Sequence, residues 1–145
     1  MKKQLIIAFI FGFALHGYFD SKPAPAKPSG QPAAVANQVT VNAFRQQKSD
    51  IQVKGTGVVE RILPDDTKGS RHQKFILRLP SGLTLLVAHN IDLAPRINSL
   101  RPGDTVEFNG EYKWNDKGGV LHWTHHDPAR RHEGGWLIHR GARYQ

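Results

Sequence analysis

Thr105-Val106-Glu107-Phe108-Asn109-Gly110-Glu111-Tyr112-Lys113-Trp114, then Asn115-Asp116-Lys117-Gly118-Gly119, then Val120-Leu121-His122-Trp123-Thr124, reads as a β-hairpin. Val106, Phe108, Gly110, Tyr112 and Trp114 alternate with Thr105, Glu107, Asn109, Glu111 and Lys113, the period of a strand with one buried face. The Asn-Asp-Lys-Gly-Gly run supplies the turn, and residues 120–124 return. Upstream, the segment Asn90-Ile91-Asp92 offers capping side chains in Asn90 and Asp92, and Leu93, Ile97 and Leu100 follow at helical spacing, with Pro95 in a first turn. A short helix is therefore expected between the hairpin and the preceding strand. That strand, residues 83–89, is apolar on both faces, and Pro80-Ser81-Gly82 turns it back onto residues 72–79, where Gln73, Phe75, Leu77 and Leu79 share one face. Pro64-Asp65-Asp66-Thr67-Lys68-Gly69-Ser70 reads as an exposed loop. Before it, residues 51–63 form a long strand in which Gly55 and Gly57 predict a bulge or bend.

The order is thus strand, strand, strand, helix, strand, strand. It predicts a mainly β domain, a small five-stranded barrel like the oligonucleotide/oligosaccharide-binding (OB) barrel, with one short helix between strands 3 and 4. Residues 37–49 add a helical turn or a strand ahead of it. A basic tail, residues 128–145, is expected to dock back through Trp136, Leu137 and Ile138, so the single domain spans residues 37–145.

The chain of 145 residues has room for one such domain, because its front is of another kind. Lys2 and Lys3 precede an apolar run from Leu5 to Leu15, the layout of a secretory signal peptide in residues 1–20; Gly17, Tyr18 and Phe19 could extend it into a short membrane tether over residues 5–19. Residues 21–36, with Pro23, Pro25, Pro28 and Pro32 among Ala, Ser and Lys, read as a linker. The expected location is periplasmic, free or tethered to the inner membrane. Zero Cys excludes a disulfide framework, thiolate metal sites, a cysteine nucleophile and a lipid anchor on cysteine. The formal charge is +8, and residues 31–145 carry 16 Lys and Arg against 11 Asp and Glu, a net +5. That excess permits a polyanionic partner without requiring one.

The motifs Gly69-Ser70-Arg71-His72-Gln73-Lys74-Phe75, His89-Asn90-Ile91-Asp92-Leu93-Ala94-Pro95-Arg96 and His122-Trp123-Thr124-His125-His126-Asp127-Pro128 resemble an uncharacterised family of small exported bacterial proteins, over residues 49–144. The resemblance implies an exported location and a single domain, and no established activity. A fainter similarity of order, a barrel strand, an Asp-rich loop and an Ile-Asp-x-x-Pro segment, links the chain to thermonuclease-type barrels. Those enzymes use Ca²⁺ and carry an acidic residue after that Pro, where this chain has Arg96.

Seven of the eight His lie in the folded part. His72, His122, His125, His126 and Asp127 are candidates for general acid/base or hydrolytic chemistry, since imidazole is the side chain best matched to proton transfer near neutral pH. His125, His126, Asp127 and His132 are a candidate set for a divalent metal such as zinc. One strand cannot assemble either site, because His122 and His126 would lie about 13 Å apart along it at roughly 3.3 Å per residue. The plain alternative is that these side chains cap a polar sheet rim. Lys74, His89, Asn90, Asp92, Arg96 and Trp123 are candidate ligand contacts, the His89–Arg96 corner because a strand end running into a helix N-terminus favours anions. Three functions follow: a binding protein for a polyanionic or sugar polymer, most simply nucleic acid held on stacking aromatics beside basic side chains; a metal-assisted or His-dependent phosphodiesterase or nuclease; or a cell-envelope interaction module without a small ligand.

Overall fold

The computed structural model describes residues 31–145. The expected signal peptide or tether and residues 21–30 of the expected linker lie outside the described residues. Eight elements follow in order: α1 (Gln31–Arg45), β1 (Ile51–Ile62), β2 (His72–Arg78), β3 (Thr84–Asn90), β4 (Thr105–Lys113), β5 (Val120–His122), β6 (Trp136–His139) and β7 (Ala142–Tyr144). Strands pair in the order β1-β2-β3-β5-β4, and β4 pairs again with β1, which closes a five-stranded barrel. All pairings are antiparallel except β3 with β5.

Closure depends on the length of β1. Its residues 51–58 pair with β4 and residues 58–62 with β2, with a register shift between Val59 and Arg61. One strand thereby serves both neighbours by bending at a bulge, beyond the two glycines that predicted the bend. Val53, Val59, Phe75, Leu77, Leu85, Val87, Val106, Phe108, Tyr112 and Leu121 fill the interior, each large side chain contributing about 1.5–3 kcal/mol through burial. The Tyr112 hydroxyl donates to the Gly118 carbonyl at 2.9 Å, and burial raises its pKa to about 12.

The expected helix between strands 3 and 4 is absent: residues 91–104 form a loop with three separate turns. Side chains from the barrel take the backbone groups that a helix would need. The Gln73 amide donates to the Ile97 carbonyl and accepts from the Ile97 N–H, both at 2.9 Å, while His89 Nε2 lies 3.0 Å from the Pro95 carbonyl. Of the expected stripe, Ile97 and Leu100 are buried and Leu93 is exposed, Ala94 being buried instead.

The one helix lies ahead of the barrel. α1 takes in residues 31–36, which composition assigned to the linker, because Pro32 falls in its first turn, where a missing N–H costs no hydrogen bond. Asn37, Thr40, Val41 and Phe44, at i, i+3, i+4 and i+7, face β1. The Asn37 side chain pairs with the N–H and carbonyl of Thr56, each at 3.0 Å, where β1 has no β2 partner. Gly55 allows this approach, since a Cβ there would stand 2.0 Å from Asn37 Oδ1. Among the described residues no helix is long and apolar enough to cross a membrane.

β5 ends at His122, two residues short of the expected strand. The tail is a β6–β7 hairpin, with β6 on the β4 edge at residues 106–109, beside the stretch that β5 covers.

Candidate functional site

The starts of β2 and the ends of β3 and β5 meet at one rim of the barrel, because β3 and β5 run parallel while β2 runs against β3. The rim is built around His89. Its Nδ1 lies 2.7 Å from Thr124 Oγ1, and its Nε2 donates to the Pro95 carbonyl. A carbonyl can only accept, so the proton sits on Nε2 and the Thr124 hydroxyl donates to Nδ1. Burial lowers the His89 pKa to about 4, which keeps the ring neutral. It is therefore a strut inside the rim rather than a ligand contact.

Thr124 reaches His89 because the chain turns sharply after β5. Trp123 adopts φ 54°, a left-handed conformation costly for a bulky residue. Two glycines admit the turn. A Cβ on Gly110 would stand 2.6 Å from the His122 carbonyl oxygen, and one on Gly135 would stand 2.0 Å from that of Trp123.

Outside this strut lies a cleft of about 170 Å³ lined by His72, Ala88, Asn90, Leu93, His122, Trp123 and His125. Three of the predicted catalytic residues and two of the predicted ligand contacts thus share one cavity. His72 Nδ1 lies 2.8 Å from the Ser70 carbonyl, and His125 Nδ1 lies 2.6 Å from that of His126. Asn90 Oδ1 accepts the Asp92 N–H at 2.9 Å, leaving its amide nitrogen as the donor facing the cleft. Lys74 follows His72 on the outward face of β2.

Glu111, which the sequence reading passed over, lies on β4 behind the cleft's His122. It lies opposite His122 in the β4–β5 register. The signal was present in the hairpin, where counting back from the turn pairs the two positions. His132 Nε2 donates to Glu111 Oε2, and this bond raises the His132 pKa. The His132 ring stacks on Trp123 with centroids 4.0 Å apart, and His125 tilts against the same indole at 5.2 Å. His122 Nε2 approaches Glu111 Oε1 at 3.2 Å without hydrogen-bond alignment and is otherwise buried and unpartnered. Burial outweighs the carboxylate there, and the His122 pKa is lowered. Two imidazoles on one carboxylate thus shift in opposite directions, His122 because it is buried and His132 because it donates to Glu111.

The remaining candidates are held elsewhere. Asp92 accepts both the Arg71 N–H and its Nε, and Arg96 clamps Asp65 through Nε and Nη2 at 2.8 and 3.2 Å. The His89–Arg96 corner therefore ties loops together, and there is no helix N-terminus in it. His126 is exposed. Asp127 organises its own loop by accepting the backbone N–H groups of Ala129, Arg131 and His132, which lowers its pKa. With both Asp127 oxygens and both His132 nitrogens engaged, His125, His126, Asp127 and His132 do not form a ligand set. Among the described residues no three His, Asp or Glu side chains converge at metal-binding spacing.

The aromatic side chains near the last hairpin and the tail, which could have offered stacking faces, are also largely covered. Tyr112 is in the core, Trp114 packs against it, Trp123 carries His132 on one face, and Arg143 lies 4.7 Å over Trp136. A second residue the sequence reading left aside, His139, is buried and donates to Asp104 at 2.8 Å, tying β6 to the start of β4.

The family model described as Protein of unknown function (DUF3465) matches residues 27–145. No curated protein matches the chain.

Proposed function

The chain belongs to the DUF3465 family, and from its own cleft we propose that it is an exported protein that binds single-stranded nucleic acid along the outer face of β2, β3 and β5. One observation carries this reading. His72, Asn90, His122 and His125 line a single cleft whose neighbouring carboxylates are already occupied, Glu111 by His132 and Asp92 by Arg71. The cleft therefore offers the Asn90 amide, and imidazoles that donate from Nε2 once protonated, without a competing free carboxylate, an environment that suits a phosphodiester. Lys74 beside it adds a charge for the next phosphate.

The architecture supports the same reading. The closed order β1-β2-β3-β5-β4 is consistent with an OB barrel, whose strand 2–3 face binds oligonucleotides and oligosaccharides. Export rests on Lys2, Lys3 and the apolar run after them. Since the aromatic faces are mostly covered, phosphate contacts rather than stacking supply the affinity, and it should be strongly salt-dependent.

Fluorescence anisotropy of a labelled 12-mer of single-stranded DNA tests this. With about three phosphates engaged, affinity falls roughly twentyfold between 50 and 200 mM salt, and Lys74→Ala weakens binding at either salt. Affinity that ignores salt, or preference for a neutral polysaccharide over the oligonucleotide, would overturn the reading.

A further inference from the structure

Four histidines meet at the rim, but they are not equivalent. His89 has both ring nitrogens engaged, and His122 has its Nε2 buried against Glu111. His72 and His125 differ from both. In each, Nδ1 faces a backbone carbonyl, of Ser70 and of His126. A carbonyl accepts only, so Nδ1 carries the proton and Nε2 keeps a lone pair in the neutral ring. Neither Nε2 has a partner among the described residues, and both rings line the same cleft. Their tautomers are thus fixed from behind, by different loops, with the reactive nitrogens left free.

We propose that His72 and His125 are the general base and general acid of a ribonuclease that cleaves its strand with the strand's own 2′-hydroxyl. This rests on the nucleic-acid reading of the cleft and adds a reaction to it. Two imidazoles can move protons but supply no nucleophile, and RNA brings its own beside every phosphodiester. One neutral imidazole Nε2 takes the 2′-hydroxyl proton as the O2′–P bond forms. The P–O5′ bond breaks, and the leaving O5′ receives a proton from the other ring in its protonated form. The products are a 2′,3′-cyclic phosphate and a 5′-hydroxyl end, and one proton has passed from substrate to protein and one from protein to product. The Asn90 amide nitrogen is placed to donate to a non-bridging oxygen as charge gathers there. Glu111 does not touch the substrate in this scheme. It holds His132 against Trp123 and so keeps the cleft's wall in place beside His125.

The full chain is incubated with a labelled RNA oligonucleotide, its DNA counterpart and its 2′-O-methyl counterpart, with chelator present throughout. The RNA should be cut to fragments ending in 2′,3′-cyclic phosphate, identified by mass. The DNA and 2′-O-methyl strands should be bound and left intact. His72→Gln and His125→Gln should each lower kcat about 10²–10⁴-fold while weakening binding of the 2′-O-methyl strand far less, since glutamine keeps an N–H donor in the cleft, and each should abolish one limb of a bell-shaped pH profile. Affinity retained by each variant shows that the cleft is still folded, so a lost rate is read as lost chemistry. Intact RNA together with binding of the 2′-O-methyl strand overturns this inference and leaves the binding reading standing. No binding of any strand overturns both, and cleavage that survives in both variants overturns the assignment to these residues.

Discussion

His89 shows how a single side chain can carry the acid sensitivity of a fold. Its folded pKa, about 4, lies below the 6.5 of the free side chain, so the unfolded chain takes up the proton first. Stability is therefore full above pH 6.5 and drains as pH falls toward 4, by up to about 3 kcal/mol at 1.36 kcal/mol per unit. His122, also lowered, adds to this loss on acidification; His132, raised by Glu111, opposes it, its contribution being present at low pH and lost as pH rises. Urea unfolding at pH 7 and at pH 4.5 should show a clearly lower midpoint in acid. His89→Leu should cost about 2–4 kcal/mol at pH 7, because Thr124 Oγ1 and the Pro95 carbonyl lose their partner, yet its stability should vary less with pH. A wild-type protein equally stable at both values would contradict the buried neutral ring.

At the scale of elements, α1 is held by one side chain at its middle and strained at its end. Asn37 satisfies a backbone N–H and carbonyl of β1 that no strand reaches, so Asn37→Ala leaves two backbone groups without their protein partner and should cost about 1–3 kcal/mol. The helix ends in a Schellman arrangement, with the Lys48 N–H on the Ala43 carbonyl and the Gln47 N–H on that of Phe44. Gln47 sits there at φ 53°, where glycine is at ease. Gln47→Gly should accordingly raise stability by a few tenths to about 1 kcal/mol. Thermal melts of the two variants should move in opposite directions; a shift of both to lower temperature would mean that the end of α1 is not strained as described.

For the whole molecule, a barrel with so short a fifth strand leaves part of one edge open. β5 is three residues long and covers β4 only at residues 111–113, so residues 106–109 pair instead with β6. Leu137 fills the core from this hairpin, and His139 ties it to Asp104. Truncation after Gly135 should therefore destabilise the entire barrel rather than trim a tail, because it bares a strand edge and removes a buried Leu, worth about 2–5 kcal/mol by itself. Circular dichroism melting checks this: an unchanged melting temperature would show that the closed ring is sufficient alone.

Local alternation settled much of this in advance. The hairpin of residues 105–122, the β2–β3 pair and the closed β domain were legible because strand period and turn residues are written within a few positions of each other. The gathering of His72, His122 and His125 at one rim was legible only as a possibility, since β2 delivers His72 while β5 and the loop after it deliver His122 and His125, and their meeting depends on the parallel β3–β5 pairing. Residues 91–104 carried a helical stripe that tertiary structure overrode, because Gln73, on a different strand, took the backbone groups of Ile97, and His89, at the end of β3, took that of Pro95. Conversely, α1 became a helix because β1 offered it an apolar face and an unpaired backbone. The sequence by itself determined which segments could bury a face, information that lies in periodicity over a few residues. Tertiary structure alone decided which polar groups meet, how each imidazole is oriented and which nitrogens stay free, because hydrogen bonds across the barrel depend on distances that no local pattern encodes.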